Sequence, residues 1–186
     1  MPSAPSAPLS PARAITTSAL LAALLAASAV IAVPLGAVPF TLQTAVLVLI
    51  ALTQRPGRAA LTVGTYLVIG AVGVPVFSGL RGGLGVLAGP TGGYLFGFLL
   101  GAVAGAWVRE RLAARIASRV AADALAALTV IVIVYALGWA QLALVTSMGA
   151  VPALIAGVAP FVIPDALKAA TAVALAPVVR RASEAR

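Results

Sequence analysis

The segment GVAPFVIPDALKAATAVALAP, residues 157–177, decides how this chain folds, because its composition is that of a membrane helix. It is almost wholly apolar, yet it carries Asp165 and Lys168 three residues apart. Residues at i and i+3 share one face of a helix, so the two charges can partly offset the cost of burying each other in a membrane. A helix that begins near Pro160 has both residues in its first turns, and we therefore expect the pair near the outer end of a helical bundle.

The composition of the whole chain extends this interpretation to every other segment. Of its 186 residues, 62% are hydrophobic and 9% are charged, whereas about a quarter of a soluble domain is charged. We therefore predict an all-α, polytopic membrane protein. Residues 1–12 are predicted to be a disordered tail rich in proline, serine and alanine, and residues 13–186 a single transmembrane domain.

The apolar runs of the sequence predict six membrane spans, of which the second is the least secure because it is short. Proline and glycine clusters separate the runs, and the fourth begins at a proline, which suits the first position of a helix. The predicted spans are Ala14–Val33, Thr41–Gln54, Ala59–Phe77, Pro90–Val108, and two that lie within Ala121–Thr146 and Pro160–Val179.

The basic residues predict how the spans are oriented. Lysine and arginine in short loops mark the cytoplasmic side of a membrane protein. If both termini are cytoplasmic, only Arg81 faces outward and Lys168 lies within a span, while the other ten of the 12 basic residues are cytoplasmic. These ten are Arg13, Arg55, Arg58, Arg109, Arg111, Arg115, Arg119, Arg180, Arg181 and Arg186. This distribution in a cell (inner) membrane explains the net charge of +8 without a nucleic-acid partner.

The inventory of reactive side chains argues against an enzyme. The chain has no cysteine and no histidine, so thiolate and imidazole ligands and the usual general base are excluded, and no metal site is expected. Of the four acidic residues, only Asp165 is predicted to lie in a span. Asp165 and Lys168 form either a structural ion pair at the interface, with Lys168 reaching outward, or part of a polar pocket that opens outward. The pocket is favoured because intramembrane charges usually mark functional sites.

Two stripes of small residues predict close helix packing. Gly93, Gly97, Gly101 and Gly105 recur every four residues in span four, a spacing that lets a neighbouring helix approach closely. Ala19, Ala23 and Ala27 form a similar stripe in span one. The alanine stripe either packs inside the bundle or forms a flat docking surface for another membrane protein.

Three stretches of the sequence together resemble one family. They are PLGAVPFTLQT (residues 34–44), GAVGVPVFSGLRGGLGVLAGPTGGYLFGF (residues 70–98) and PFVIPDALKA (residues 160–169). The chain resembles BioY, the biotin-binding S component of energy-coupling factor (ECF) vitamin transporters. The resemblance implies a six-helix S-component bundle that binds biotin with high affinity near its extracytoplasmic face. It also implies uptake together with a transmembrane coupling protein and ABC-type ATPases, with biotin as the transported ligand and no cofactor.

The resemblance also implies roles for individual residues. The acid and the lysine of the family's last helix match Asp165 and Lys168. Asp165 is expected to accept hydrogen bonds from the ureido N–H groups of biotin, and Lys168 either holds the carboxylate of biotin or orients Asp165. Ala19, Ala23 and Ala27 match small residues on the first helix that pack against the coupling protein.

Further candidates for biotin binding come from the loops and span ends that the resemblance covers. The loop VPFTLQT is expected to form a lid over the ligand. For each candidate a simpler role stays open, such as lid packing, helix capping, an anchor in the membrane interface or a solvated loop charge. The candidates are Phe40, Thr41, Gln43, Tyr94, Trp139 and Arg81.

Three rival functions remain at this point. The first is an S component of the same architecture for another vitamin, such as riboflavin or thiamin. The second is a secondary transporter, although such proteins usually show two broken spans in corresponding halves, and here the breaks fall at span ends. The third is a scaffold protein without a ligand.

Overall fold

The computed structural model of the chain describes residues 11–184, and this part of the chain is a helical bundle with one small hairpin. Predictions for residues 1–10 and for Arg186 lie outside the described residues. The helices are α1 (Pro11–Ala27), α2 (Gln43–Thr53), α3 (Pro56–Ala71), α4 (Leu84–Ala88), α5 (Gly92–Ala113), α6 (Arg119–Thr146), α7 (Ala150–Gly157) and α8 (Val162–Glu184). The strands of the antiparallel hairpin are β1 (Val33–Leu35) and β2 (Val38–Phe40).

The predicted fold class is confirmed, since α1, α2, α3, α5, α6 and α8 correspond to the six predicted spans. The short helices α4 and α7 and the hairpin lie between them and were not predicted. Strand pairing of Leu35 with Val38 leaves a two-residue turn. Gly36 begins this turn at φ +84°, a backbone conformation that glycine adopts without steric cost. Span one ends as a helix at Ala27, earlier than predicted, because residues 28–32 turn out of the helix and lead into β1.

The helices differ in whether they could cross a bilayer alone. Within residues 11–184, three helical runs are long and apolar enough to cross a membrane, namely Gly92–Ala113, Arg119–Thr146 and Ala150–Ser183. Helix α2 has only 11 residues, nine of them buried, and is about 16 Å long, well short of the roughly 30 Å hydrocarbon layer. It forms the centre of the bundle, where α8, α5, α6 and α1 pack around it.

The glycine face of α5 packs against α6, as its spacing predicts. A Cβ atom on Gly93 would collide with the carbonyl oxygen of Leu137, and one on Gly101 would lie 3.1 Å from the carbonyl oxygen of Val130. A Cβ atom on Gly97 would lie 2.7 Å from the Cα atom of Val134. The contacts are between backbones, which cannot move aside as a flexible side chain can.

Replacing Gly97 by alanine should therefore destabilise the bundle. We expect the free energy of unfolding in mixed micelles to fall by about 1–3 kcal/mol, the usual cost of overpacking. Gly64→Ala is the matched control, because Gly64 also lies within a helix but has open space where the Cβ atom would go. Equal stability of the two variants would show that the α5–α6 contact is looser than the structure indicates.

The alanine stripe of α1 lies on the outside of the bundle. Ala19, Ala23 and Ala27 are exposed, whereas Leu21 and Leu25 on the opposite side are buried. The stripe therefore lies outside the core of the described chain, and it is open to a partner.

A buried ionic cluster joins three of these helices at one end of the bundle. Asp123 of α6 is 4% exposed and accepts hydrogen bonds from Arg109 Nε of α5 at 3.1 Å and from Arg180 Nη2 of α8 at 2.9 Å. Arg180 Nη1 also donates to the carbonyl oxygen of Leu52 at 3.1 Å, which satisfies a terminal carbonyl group of α2. We call Asp123, Arg109 and Arg180 the Asp123 cluster. Asp123 is thus buried in the first turns of α6, which the sequence analysis did not predict.

Candidate functional site

Asp165 and Lys168 lie in the first turns of α8, at the opposite end of the bundle from the Asp123 cluster. A 3-10 turn over Ala159–Phe161 leads into this helix. Both side chains are buried, with 4% and 9% of their surface exposed, and Lys168 Nζ donates to Asp165 Oδ1 at 2.7 Å. The positive end of the helix dipole also favours a carboxylate at this position. The pair is therefore buried inside the bundle, and Lys168 does not extend into the membrane interface.

A tyrosine from another helix completes the surroundings of this carboxylate. Tyr135 of α6 donates its hydroxyl proton to Asp165 Oδ2 at 2.7 Å. The sequence analysis missed Tyr135, although there was one signal. A tyrosine in the middle of an apolar span needs a partner for its hydroxyl group, and Asp165 is the acidic residue that was expected inside the membrane.

Lys168 also connects α8 to the chain that follows the hairpin. Its ammonium group donates to the carbonyl oxygen of Thr41 at 2.6 Å and lies 3.7 Å from the centre of the Phe40 ring. An ammonium group has three donors. Two of them are engaged by Asp165 and Thr41, and the Phe40 ring faces the same charge. Lys168 thus has little capacity left for a ligand unless one of these contacts breaks.

A second polar network lies beside this pair at the start of α2. Gln43 Nε2 donates to the hydroxyl oxygen of Tyr66 at 2.7 Å, and Thr41 Oγ1 donates to Gln43 Oε1 at 3.2 Å. The Tyr66 hydroxyl donates in turn to the carbonyl oxygen of Val76 at 3.2 Å. Thr41 and Gln43 lie where the hairpin joins α2. Their hydrogen bonds to each other and to Tyr66 of α3 hold them in place.

These residues surround one cavity, which we call the Asp165 pocket. The volume of the cavity is about 60 Å³, well below the roughly 300–1,000 Å³ of small-molecule pockets, so its wall must move to admit a larger ligand. The larger part of its wall is apolar, and polar side chains from several elements also line it. The lining residues are Val38, Pro39, Thr41, Gln43, Thr44, Ser78, Thr91, Tyr94, Leu95, Phe98, Val134, Tyr135, Gly157, Phe161, Asp165 and Lys168.

The remaining predicted site residues fall into two groups. Tyr94 lines the pocket, and its hydroxyl donates to the carbonyl oxygen of Gly157 at 2.8 Å. Trp139 and Arg81 are not among the lining residues. Trp139 Nε1 donates to the carbonyl oxygen of Ala150 at 2.8 Å, and Arg81 is exposed, with its Nε donating to the carbonyl oxygen of Ser78 at 3.1 Å. The structure thus brings together Asp165, Lys168, Thr41, Gln43 and Tyr94, with Phe40 packed against Lys168.

The chemistry of the pocket follows from the acceptors that remain free. An ionised carboxylate has about four lone-pair positions, of which Lys168 and Tyr135 occupy two. The other two can accept from N–H or O–H groups of a small molecule whose apolar body contacts the aromatic wall. Fold and site together define an α-helical membrane protein with an internal pocket for a small ligand.

The family model of the BioY family matches residues 2–185. The chain belongs to the BioY family. It is 36% identical over 165 residues to the "Probable biotin transporter BioY" of Pyrococcus horikoshii, which covers 89% of this chain and 94% of that protein. It is 45% identical over 84 residues to the "Biotin transporter BioY" of Thermotoga maritima, which covers 45% of this chain and 50% of that protein.

A solved structure with the same fold supports the architecture. The crystal structure of the S-component for biotin from an ECF-type ABC transporter matches 91% of this chain and 92% of that chain, with a TM-score of 0.85 and 22% sequence identity. At this identity the likeness concerns the fold. The predicted S-component bundle is therefore confirmed.

Proposed function

We propose that this chain binds biotin in the Asp165 pocket and mediates its uptake across the cell membrane. It would act as the S component of an ECF transporter, with a coupling protein in the membrane and ATPase subunits that hydrolyse ATP. The observation that carries the proposal is the buried carboxylate of Asp165, which lines an internal cavity in a chain of the BioY family. This chain itself would perform no catalysis.

The chemistry of biotin fits the groups that the pocket offers. The ureido ring of biotin carries two N–H donors, and Asp165 has two acceptor positions that no group of residues 11–184 occupies. The fused ring system presents an apolar body to Phe98, Phe161 and Tyr94, which line the cavity. The valerate chain of biotin ends in a carboxylate anion.

The contacts of Lys168 support the second of its two predicted roles. Its ammonium group is within hydrogen-bond distance of Asp165 and of the Thr41 carbonyl oxygen. It would thereby orient Asp165 towards the ureido group and hold the lid segment, while the valerate would be bound elsewhere. We also propose that biotin contacts Phe40, Thr41, Gln43 and Tyr94. Contacts of biotin with Trp139 and Arg81 stay predictions.

Equilibrium binding with labelled vitamins tests the proposed ligand. The purified protein is expected to retain biotin at nanomolar concentrations and not to bind riboflavin or thiamin, because neither presents two ureido N–H donors to Asp165. Unlabelled biotin should displace the label completely. Retention of another vitamin in place of biotin would assign the chain to an S component of different specificity, and retention of none would favour a scaffold.

The distribution of charge supports a cytoplasmic location for both termini. Arg109 and Arg180 lie at one end of the bundle and the Asp165 pocket at the other. If the arginine-rich end is cytoplasmic, the pocket opens towards the outside, where a nutrient is captured.

The exposed alanine stripe of α1 is the proposed docking surface for the coupling protein. Ala23→Leu is expected to leave biotin binding unchanged, because Ala23 lies outside the pocket, and to reduce uptake at least several-fold in cells that contain the complete transporter. A larger side chain would separate two closely packed helices. Ala174→Leu, on the exposed face of α8, is the matched control. Uptake that falls equally in both variants, or in neither, would contradict docking at this stripe.

A further inference from the structure

A second cavity lies on the outer surface of the bundle, far from the Asp165 pocket. It is a groove of about 630 Å³ between α5 and α6, with the start of α3 beside one end, and its surface is almost entirely apolar. No other part of residues 11–184 packs into it. Residues that form it include Leu100, Val103 and Trp107 of α5, Ile133 and Leu137 of α6, and Pro56 of α3.

The groove runs along the bundle and ends among charged side chains. Leu100 and Trp107 are separated by about 10 Å along α5, and Trp107 lies towards the end that carries the Asp123 cluster. The guanidinium carbon of Arg111 lies 4.6 Å from the centre of the Trp107 ring. Arg55 immediately precedes Pro56, and its side chain is 82% exposed. The groove therefore has an apolar body and a mouth with two arginines.

One acidic residue shares this mouth and does not neutralise it. Glu110 Oε1 lies 3.9 Å from Arg55 Nε, and both side chains are substantially exposed. A pair of this length at the surface is weak and screened by water. Trp107, Glu110 and Arg111 are three and four residues apart, so they share one face of α5. The mouth consequently retains a net positive charge next to an apolar channel.

We propose that this groove binds one anionic phospholipid of the leaflet that the arginine end of the bundle faces. One acyl chain occupies the groove between α5 and α6, and the phosphate group contacts Arg111 and Arg55. Guanidinium groups pair with phosphate through directed, charge-assisted hydrogen bonds. The site complements both parts of this ligand. Its apolar channel suits the acyl chain, and its cationic end suits the phosphate group.

A second copy of this chain fits the groove less well. Two copies in one membrane share the same orientation, so a twofold interface would place the arginine mouths of both copies at the same depth. Arg111 and Arg55 of one copy would then face those of the other, and the like charges would repel each other. A phospholipid brings the opposite charge to this position.

The two tryptophans of the chain allow a direct test. In the full-length Trp139→Phe variant, Trp107 is the remaining fluorescent tryptophan, and it lines the groove. The protein is reconstituted in vesicles of unlabelled phosphatidylcholine. Increasing amounts of a lipid with brominated acyl chains are added, either brominated phosphatidylglycerol or brominated phosphatidylcholine. Bromine quenches a tryptophan that it contacts. We expect half-maximal quenching at a roughly 25-fold lower fraction of brominated phosphatidylglycerol, since each of the two arginines contributes about a fivefold preference.

Two variants and one control distinguish the site from the surrounding bilayer. Arg55→Gln and Arg111→Gln together should bring the two quenching curves into coincidence, and Ala104→Leu, which fills the groove, should weaken quenching by both lipids. The Trp107→Phe protein, which reports from Trp139, should show no headgroup preference. The proposal is overturned if Trp107 shows no preference, if the preference survives loss of both arginines, or if Trp139 shows it equally. It is also overturned if neither lipid quenches Trp107, because a second copy then covers the groove.

Discussion

Replacing Asp123 by alanine is expected to lower the free energy of unfolding by about 3–5 kcal/mol. That is the usual cost of removing one partner from a buried ion pair, since the remaining charge is left without compensation. Arg109 and Arg180 would lose their shared carboxylate while 24% and 18% of their side chains are exposed. The contacts between α5, α6 and α8 at this end would weaken together. Unfolding in mixed micelles, followed by circular dichroism without ligand, measures the loss.

Glu110→Ala is the matched control for this prediction. It also removes a carboxylate that faces an arginine, but the Arg55–Glu110 pair is exposed and 3.9 Å long. A surface pair contributes roughly 0–1 kcal/mol, so Glu110→Ala should change the stability little. Biotin binding at the intact pocket should be unaffected in both variants, because Arg180 lies about 20 Å along α8 from Asp165. Similar losses of stability in the two variants would mean that the Asp123 cluster is open to water.

The architecture of the bundle could be predicted because its signals are local. A continuous apolar run specifies a helix in a membrane, since the backbone must satisfy its own hydrogen bonds there. The four-residue spacing of Gly97 and Gly101 predicted a face of close helix packing, which α6 occupies, and the charges of Asp165 and Lys168 identified the end that carries the pocket. Each of these conclusions depends on a single segment.

The features that were missed depend on distant segments. Asp123 appears at a span end, where a carboxylate is ordinarily solvated, and its burial depends on Arg180, which is 57 residues further along the chain. Tyr135 meets Asp165 only because α6 packs beside the start of α8. The hairpin was missed for another reason, because a proline-rich segment reads as a break until Leu35 and Val38 are seen to pair.

Replacing Asp165 by alanine is expected to weaken biotin binding by about 2–5 kcal/mol, which is the range for truncating one member of a buried, hydrogen-bonded charge pair at an interface. The dissociation constant would rise roughly 30-fold to several-thousand-fold. Asp165→Asn keeps one acceptor oxygen and the volume of the side chain, so it should cost less, about 1.5–3 kcal/mol. Titration calorimetry with biotin measures both effects, and unfolding experiments without ligand verify that each variant is folded. If Asp165→Asn binds biotin with unchanged affinity, the carboxylate is not part of the binding site.

The role of Lys168 determines how this loss depends on the ligand. If Lys168 orients Asp165 through their 2.7 Å hydrogen bond, Lys168→Met should lower the affinities for biotin and for its uncharged valeramide by the same factor. Both ligands carry the ureido ring. If Lys168 binds the valerate, the variant should lose affinity for biotin alone and cease to distinguish the two ligands. Tyr135→Phe removes the other hydrogen bond to Asp165 without altering a charge. It should weaken the binding of both ligands equally, by about 1 kcal/mol. We expect Lys168→Met to follow the pattern of Tyr135→Phe with a larger loss, since the two side chains hold opposite oxygens of one carboxylate. A selective loss of biotin in Lys168→Met would instead assign the lysine to the valerate and leave Tyr135 as the group that positions Asp165.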